Sequence, residues 1–248
     1  MLWYRITRLV CRSVLRFLYR FRTYGIENIP ADGGLVIASN HTSYLDPVLL
    51  GSANTIRRVY FMAKEELFKV PLFGRLILSL GAMPIRRGGV DRNIFRTFGD
   101  MLKVQKLALV VFPEGTRSRD GKLGPARRGV GALCLAAGVP VVPAHIRGSF
   151  DVWPRFRRFP RLRGEIEVRF GSPIQWSDGE LKASKDPNGM LADLILKKIE
   201  ELSMTEGKAL GFRETNRTIT GKDERTAQDP RHEAGTQSSA SGTDDGIR

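Results

Sequence analysis

Between residues 25 and 212, short β-branched runs alternate with helix-patterned stretches, and this alternation leaves few architectures open. The runs "GLVIAS", "RRVYFMA", "LALVVF", "VPVVPAHI" and "EIEVRF" read as largely buried strands, because each is short and rich in β-branched residues. Between them, "PVLLGSAN", "KEELFKVPLFGRLILSLG", "VDRNIFRTFGDMLKVQ" and "ARRGVGALCLAAG" read as helices. Parallel strands need crossover connections of this kind. The expectation is a single α/β domain over residues 25–212, its largely parallel or mixed sheet flanked by helices. The uncharged run 129–146 approaches bilayer length, but Gly138, Pro140 and Pro143 divide it into a helix end, a turn and a strand.

The two ends of the chain read differently. Residues 1–24 contain no acidic residue, and Arg5, Arg8, Arg12, Arg16 and Arg20 recur every three or four positions. On a helix they form one stripe, with Trp3, Ile6, Val10, Val14, Phe17 and Phe21 opposite. That is the pattern of an amphipathic helix lying in a membrane interface and meeting anionic head groups. Arginines interrupt each apolar run well short of the roughly 20 residues a crossing needs, and leave no secretory h-region. An organelle transit peptide and a helix packed on the domain are the alternatives. Residues 213–248 hold almost no large apolar side chain and are expected to be a disordered polar tail, His232 included.

A net charge of +14, from 40 Lys plus Arg against 26 Asp plus Glu, favours a polyanionic partner, either nucleic acid or an anionic membrane. Cys11 and Cys134 are far apart, with no CxxC and no neighbouring histidine, so neither a disulfide framework nor a structural zinc site is expected.

Three segments carry chemistry. "NHTSYLDP" places His41 after a strand and Asp46 before a helix, where α/β proteins put ligands and catalytic groups. Five residues on one helix would hold the two side chains about 140° apart, so a hydrogen bond between them needs a turn. Asp46 before Pro47 also suits a helix N-cap. "VVFPEGTRSRDGKL" follows a strand with Glu114, Gly115, Thr116, Arg117 and Ser118, a glycine, hydroxyls and a guanidinium fork that suit an anion. A solvated loop with a Glu–Arg pair is the alternative. "GAMPIRRGGVDR" ends a short strand with Arg86 and Arg87, which equally suit surface charge. His145, inside a strand, reads as a core or edge histidine.

Together these segments resemble the glycerolipid acyltransferases. "NHTSYLDP" is similar to their NHxSxxD signature, "FPEGTRS" matches residue for residue, and "GAMPIRR" and "GVPVVPAHI" fit the remaining two segments in order, over about residues 25–175. Within that family the chain most resembles the 1-acylglycerol-3-phosphate acyltransferases. The resemblance implies transfer of a fatty acyl group from acyl-CoA or acyl carrier protein to the sn-2 hydroxyl of lysophosphatidic acid, forming phosphatidic acid. It implies His41 as general base and Asp46 as its orienting partner. Arg87, Glu114, Gly115, Thr116 and Arg117 would form the substrate-phosphate site, and Lys64 is a weaker candidate. No metal or cofactor is implied, and a thioester needs no enzyme nucleophile. The chain departs from the family at "PARRG", where Ala126 replaces an aromatic residue.

In "FDVWPRFRRFPRLRG", aromatics interleave with Arg155, Arg157, Arg158, Arg161 and Arg163. Such a segment suits single-stranded nucleic acid, a membrane interface or an acidic carrier protein. Beside the other motifs, membrane or carrier contact is favoured. The expected setting is peripheral or monotopic, on the cytoplasmic face of a membrane, with no nucleic-acid partner. Three other readings stay open: a basic nucleic-acid-binding protein, a catalytically inactive lipid-binding module, and an acyltransferase with a different lysolipid acceptor.

Overall fold

The computed structural model describes residues 2–54, 56–85 and 92–209. Arg86, Arg87 and the 213–248 segment lie outside the described residues. Within them the chain runs α1 (Leu2–Tyr19), β1 (Arg22–Tyr24), β2 (Leu35–Ser39), α2 (Asp46–Ala53), β3 (Val59–Lys64), α3 (Glu65–Phe68), α4 (Phe73–Ser79), β4 (Ala82–Ile85), α5 (Arg92–Val104) and β5 (Ala108–Val111). It continues through α6 (Arg128–Ala137), β6 (Val141–Arg147), α7 (Ser149–Val152), β7 (Glu167–Phe170), α8 (Asp178–Ala183) and α9 (Pro187–Ala209).

The strands form one sheet in the order β1-β7-β6-β2-β5-β3-β4. Every pairing is parallel except β6 with β7. The α/β expectation therefore holds, with a mixed sheet. Side-chain alternation sorts each central strand into two apolar layers. Leu35, Ile37, Ala108 and Val110 face the α1 and α2 side, while Val36, Ala38, Leu109 and Val111 face Leu102 of α5, Leu133 of α6 and Ile195 of α9. Burial on both faces is what makes these strands unbroken apolar runs.

This topology fixes where the motifs go. β2, β5 and β6 are parallel neighbours, so the segments leaving their C-terminal ends, 40–45, 112–118 and 148–152, emerge at one edge of the sheet. In an open α/β sheet that edge is where ligands bind.

Several local expectations change. "KEELFKVPLFGRLILSLG" is two helices, α3 and α4, separated at Pro71 and at Leu72, whose φ of 61 is left-handed. Proline has no N–H for a helical bond there, and the left-handed residue redirects the chain. The first helix ends at Tyr19, since Arg20 takes φ 46 and Phe21 enters the core. The arginine stripe divides. Arg12 Nη1 donates to the carbonyls of Ser52 (3.0 Å) and Ala53 (3.3 Å), and Arg8 Nη1 to that of Asn54 (3.3 Å). Both guanidinium groups thereby satisfy the unpaired carbonyl end of α2 and meet the negative end of its dipole. Arg5 and Arg16 remain exposed, as do Leu2, Ile6, Val10, Val14 and Phe17, while Tyr4, Leu15 and Tyr19 pack inward. No helix among the described residues is long and apolar enough to cross a membrane.

Candidate active site

His41 follows the buried end of β2, and the chain turns over residues 44–45 before α2 starts at Asp46. That turn closes the five-residue gap: His41 Nδ1 lies 2.8 Å from Asp46 Oδ2. A carboxylate only accepts, so Nδ1 carries a proton, and in the neutral imidazole the lone pair is on Nε2. The imidazole stacks on Phe112, with centroids 3.9 Å apart, and its side chain is 18% exposed.

Asp46 does not cap its own helix. The N-cap position of α2 is Leu45, and the fully buried carboxylate reaches back to the preceding turn. Its Oδ2 accepts the backbone N–H groups of Thr42 (2.7 Å) and Ser43 (2.8 Å) as well as the imidazole. Its Oδ1 accepts the hydroxyl of Ser149 at 2.7 Å. Ser149 has one proton to give, so the Thr42 hydroxyl, 2.9 Å away, donates to Ser149. Both oxygens of the buried carboxylate are thus satisfied by protein donors. Sequence reasoning missed Ser149, because it lies 103 positions from Asp46 and only the β2–β6 pairing brings it there. Asn40 holds that junction, donating to the carbonyl of Ile146 (2.9 Å) and accepting its N–H (2.8 Å).

The loop after β5 is tied to the same histidine. Glu114 Oε1 accepts the His41 N–H at 2.9 Å, and the Ser118 N–H donates to the His41 carbonyl at 2.8 Å. Glu114 also accepts the N–H of Gly124, and its burial pushes the carboxyl up to about 7. Its side chain therefore positions backbone. Gly115 takes φ 66, and a Cβ there would meet the Arg127 side chain at 2.8 Å. Arg127 grips the loop, its N–H on the Pro113 carbonyl (2.9 Å) and its Nε on that of Glu114 (3.1 Å).

Arg117 lies with its guanidinium carbon 3.5 Å from the centroid of the Tyr44 ring. Its Nη1 is buried and meets no hydrogen-bond partner among the described residues. A buried cationic donor without an acceptor is costly, which makes it a natural seat for an anion. Thr116 is exposed beside it. A cleft of about 770 Å³ opens here, lined by Arg117, Arg119, Lys122, Arg127 and Arg155, with Glu114 and Asp120 as the carboxylates. Ala126 also lines it. Lys64 is exposed at the end of β3, and His145 sits within β6 opposite Arg169 of β7. Cys134 is fully buried, and burial pushes its thiol up to about 12, so it offers no thiolate.

An α/β sheet with an orienting carboxylate, a histidine and a cationic loop at its C-terminal edge matches one family: the Acyltransferase family profile matches residues 20–147, and the chain belongs to that family. Among its relatives, the chain is 33% identical over 180 residues to the chloroplastic 1-acyl-sn-glycerol-3-phosphate acyltransferase BAT2 of Brassica napus, covering 72% of this chain and 52% of that protein. It is 27% identical over 196 residues to the 1-acyl-sn-glycerol-3-phosphate acyltransferase of Bacillus subtilis, covering 77% of this chain and 94% of that one. The chain thus spans about half of the plant relative and nearly all of the bacterial one. The fold resembles the crystal structure of the 1-acyl-sn-glycerophosphate (LPA) acyltransferase PlsC from Thermotoga maritima. The TM-score is 0.63 at 25% identity, over 81% of this chain and 79% of that one.

Proposed function

We propose that this chain transfers a fatty acyl group from acyl-CoA or acyl carrier protein to the sn-2 hydroxyl of a 1-acylglycerol 3-phosphate, giving phosphatidic acid. The observation that carries the reading is that His41 is held on both sides of its backbone by the loop bearing Arg117, through Glu114 and Ser118. Base and anion seat are thereby one rigid unit. An acceptor held by its phosphate presents its hydroxyl at a fixed offset, the condition for proximity to lower a barrier. The names of the Brassica and Bacillus relatives support the same acceptor.

In this reading His41 Nε2 takes the hydroxyl proton as the oxygen attacks the thioester carbonyl. The tetrahedral intermediate collapses, the C–S bond breaks, and the imidazolium returns the proton to the departing thiolate. Asp46 stabilises the imidazolium in between. The acceptor's phosphate sits against Arg117, with Thr116 and Gly115 shaping the loop and Arg87 assisting.

The acceptor lives in a bilayer, and the outward apolar face of α1 supports a peripheral or monotopic placement on the cytoplasmic face, against anionic lipids. A binding module without chemistry would have no use for a base whose second nitrogen is so carefully oriented.

The test is acyl transfer by purified protein in vesicles, with oleoyl-CoA and lysophosphatidic acid, other lysolipids or glycerol 3-phosphate, read by mass spectrometry beside His41→Ala. Phosphatidic acid from wild type alone supports the reaction and the base together. Product from another acceptor alone changes the substrate, and no product with either CoA or carrier-protein donors overturns the proposal.

A further inference from the structure

The segment 153–164 is a closed, pinned loop at the active-site edge. The Ser43 hydroxyl donates to the Trp153 carbonyl (2.8 Å), and Ser43 forms a bridge with Pro154, so the loop is fastened to the turn between His41 and Asp46. Trp153 Nε1 donates to the Arg157 carbonyl (3.1 Å), and the Arg161 N–H to that of Val152 (2.9 Å). Despite this anchoring, Phe156, Phe159 and Leu162 stand 71%, 67% and 71% exposed. Three large apolar side chains held out by a fixed loop carry a hydration cost that nothing in the domain's own packing requires.

The surrounding charge says what kind of phase meets them. Residues 152–164 hold five arginines and no acidic residue. Behind the loop, a recess of about 250 Å³ is lined by Arg20, Arg22, Arg147, Arg161 and Arg163, against Asp151, Glu165 and Glu167. The loop's far end joins α1: the Ile166 N–H donates to the Tyr19 carbonyl (3.0 Å), and Arg20 pairs with Glu165 at 2.8 Å. Phe17, two residues before that junction, is 88% exposed. The C-terminal end of the loop is therefore fastened to the C-terminal end of α1.

We propose that the 153–164 loop is a second membrane anchor, inserting Phe156, Phe159 and Leu162 into the acyl boundary of an anionic bilayer while its arginines engage lipid phosphates. The pairing of long cationic side chains with apolar prongs is what an interface rewards. An acidic carrier protein would satisfy the arginines but offers less to three exposed apolar side chains. Because Ser43 ties this loop to the catalytic turn, insertion sets the His41 end of the sheet at the bilayer surface, where a lysolipid hydroxyl is delivered. This deepens the proposed function by naming the surface through which the site reaches its acceptor.

The test uses the full chain with vesicles of phosphatidylcholine alone or with about a third phosphatidylglycerol. Wild type should bind the anionic vesicles more tightly, with binding falling as salt rises. The F156S/F159S/L162S variant should bind about tenfold or more weakly and lose turnover of vesicle-embedded lysolipid in proportion. With short-chain, monodisperse acceptor and donor it should keep wild-type turnover. A label on F159C, in a background with Cys11→Ser and with fully buried Cys134 left in place, should shift to an apolar emission on anionic vesicles. Unchanged vesicle binding together with an unshifted label overturns the anchor. Normal vesicle binding with loss confined to acyl carrier protein turnover assigns the loop to a carrier instead and also overturns it. The binding and label readouts need no turnover, so reduced vesicle binding with no acyl transfer from any protein form upholds the anchor while the catalytic reading fails.

Discussion

The hydroxyl of Ser149 donates to Asp46 Oδ1 at 2.7 Å, opposite the oxygen that holds His41. A hydrogen bond to a charged group is worth about 1.5–3 kcal/mol, or roughly ten- to a hundredfold in rate if it acts on the chemical step. Ser149→Ala should lower kcat in that range while leaving KM for the acceptor near wild type. If Ser149 works through Asp46, the same substitution in an Asp46→Asn background should cost little more. Additive losses in steady-state kinetics would place Ser149 outside the relay.

Asp46→Asn removes the carboxylate charge and puts an NH₂ group either against the Ser149 hydroxyl, whose proton must then turn away, or against the N–H groups of Thr42, Ser43 and the imidazole. In the second arrangement the Nε2 lone pair is no longer guaranteed, and in both the charge that stabilises the imidazolium is gone. Turnover should fall about 10²- to 10⁴-fold, with His41→Ala in the same range. Retention of full turnover by either variant rules out the dyad as the proton-transfer device.

Glu114 should leave a signature in stability against pH. Its folded-state carboxyl lies at about 7 against an ordinary 4.5, so the folded protein binds the extra proton between those values. Stability from this group is fully present below about 4.5 and is lost as pH rises through 7, at no more than about 1.4 kcal/mol per pH unit. Glu114→Gln keeps a carbonyl oxygen for the His41 N–H but does not ionise. In urea titrations the variant should gain on wild type between pH 5 and 7, then hold a constant lead. A difference independent of pH would mean that the carboxyl titrates normally.

Arg117→Lys keeps the charge but loses the planar fork and its stack on Tyr44. KM for a phosphate-bearing acceptor should rise about tenfold or more, with a smaller change in kcat. Selectivity over a monoacylglycerol that lacks the phosphate should narrow. Unchanged selectivity in competition assays would remove Arg117 from the anion seat.

Gly131 tests the helical layer. A Cβ there would lie 1.9 Å from the Asn188 carbonyl at the start of α9, and backbone cannot yield as a side-chain tip can. Gly131→Ala should lower stability by about 1–3 kcal/mol or more by forcing α6 from α9. Thermal unfolding would read this as a lower midpoint.

The alternation of strand-like and helix-like runs was enough to specify an α/β domain, because parallel strands need crossover connections between them. Boundaries were harder. The helix expected over 64–81 breaks at Leu72, whose left-handed backbone no residue preference announces. α9 does carry a signal that sequence reasoning missed, since Leu191, Ile195 and Ile199 recur every four residues and are buried. β1 lies inside the 1–24 segment expected to be helical, because three residues carry too little pattern to stand alone and its partner, β7, is more than 140 positions away.

For the site, the local sequence carried His41, Asp46 and the residues from Glu114 to Arg117, since each motif is a contiguous strand-end loop with a readable composition. It determined which groups are available and that the His–Asp gap needs a turn. Only the tertiary structure decided what those groups do to one another. It turned the Asp46 carboxylate back from its helix, supplied Ser149 from 103 residues away, and aimed Glu114 at the His41 amide. It also turned Arg8 and Arg12 inward onto the end of α2, leaving the apolar face of α1 outward. The physical reason is that a hydrogen bond is settled by distances of about 3 Å in space, and sequence spacing sets those only within one turn of chain; across a sheet, strand order and register set them.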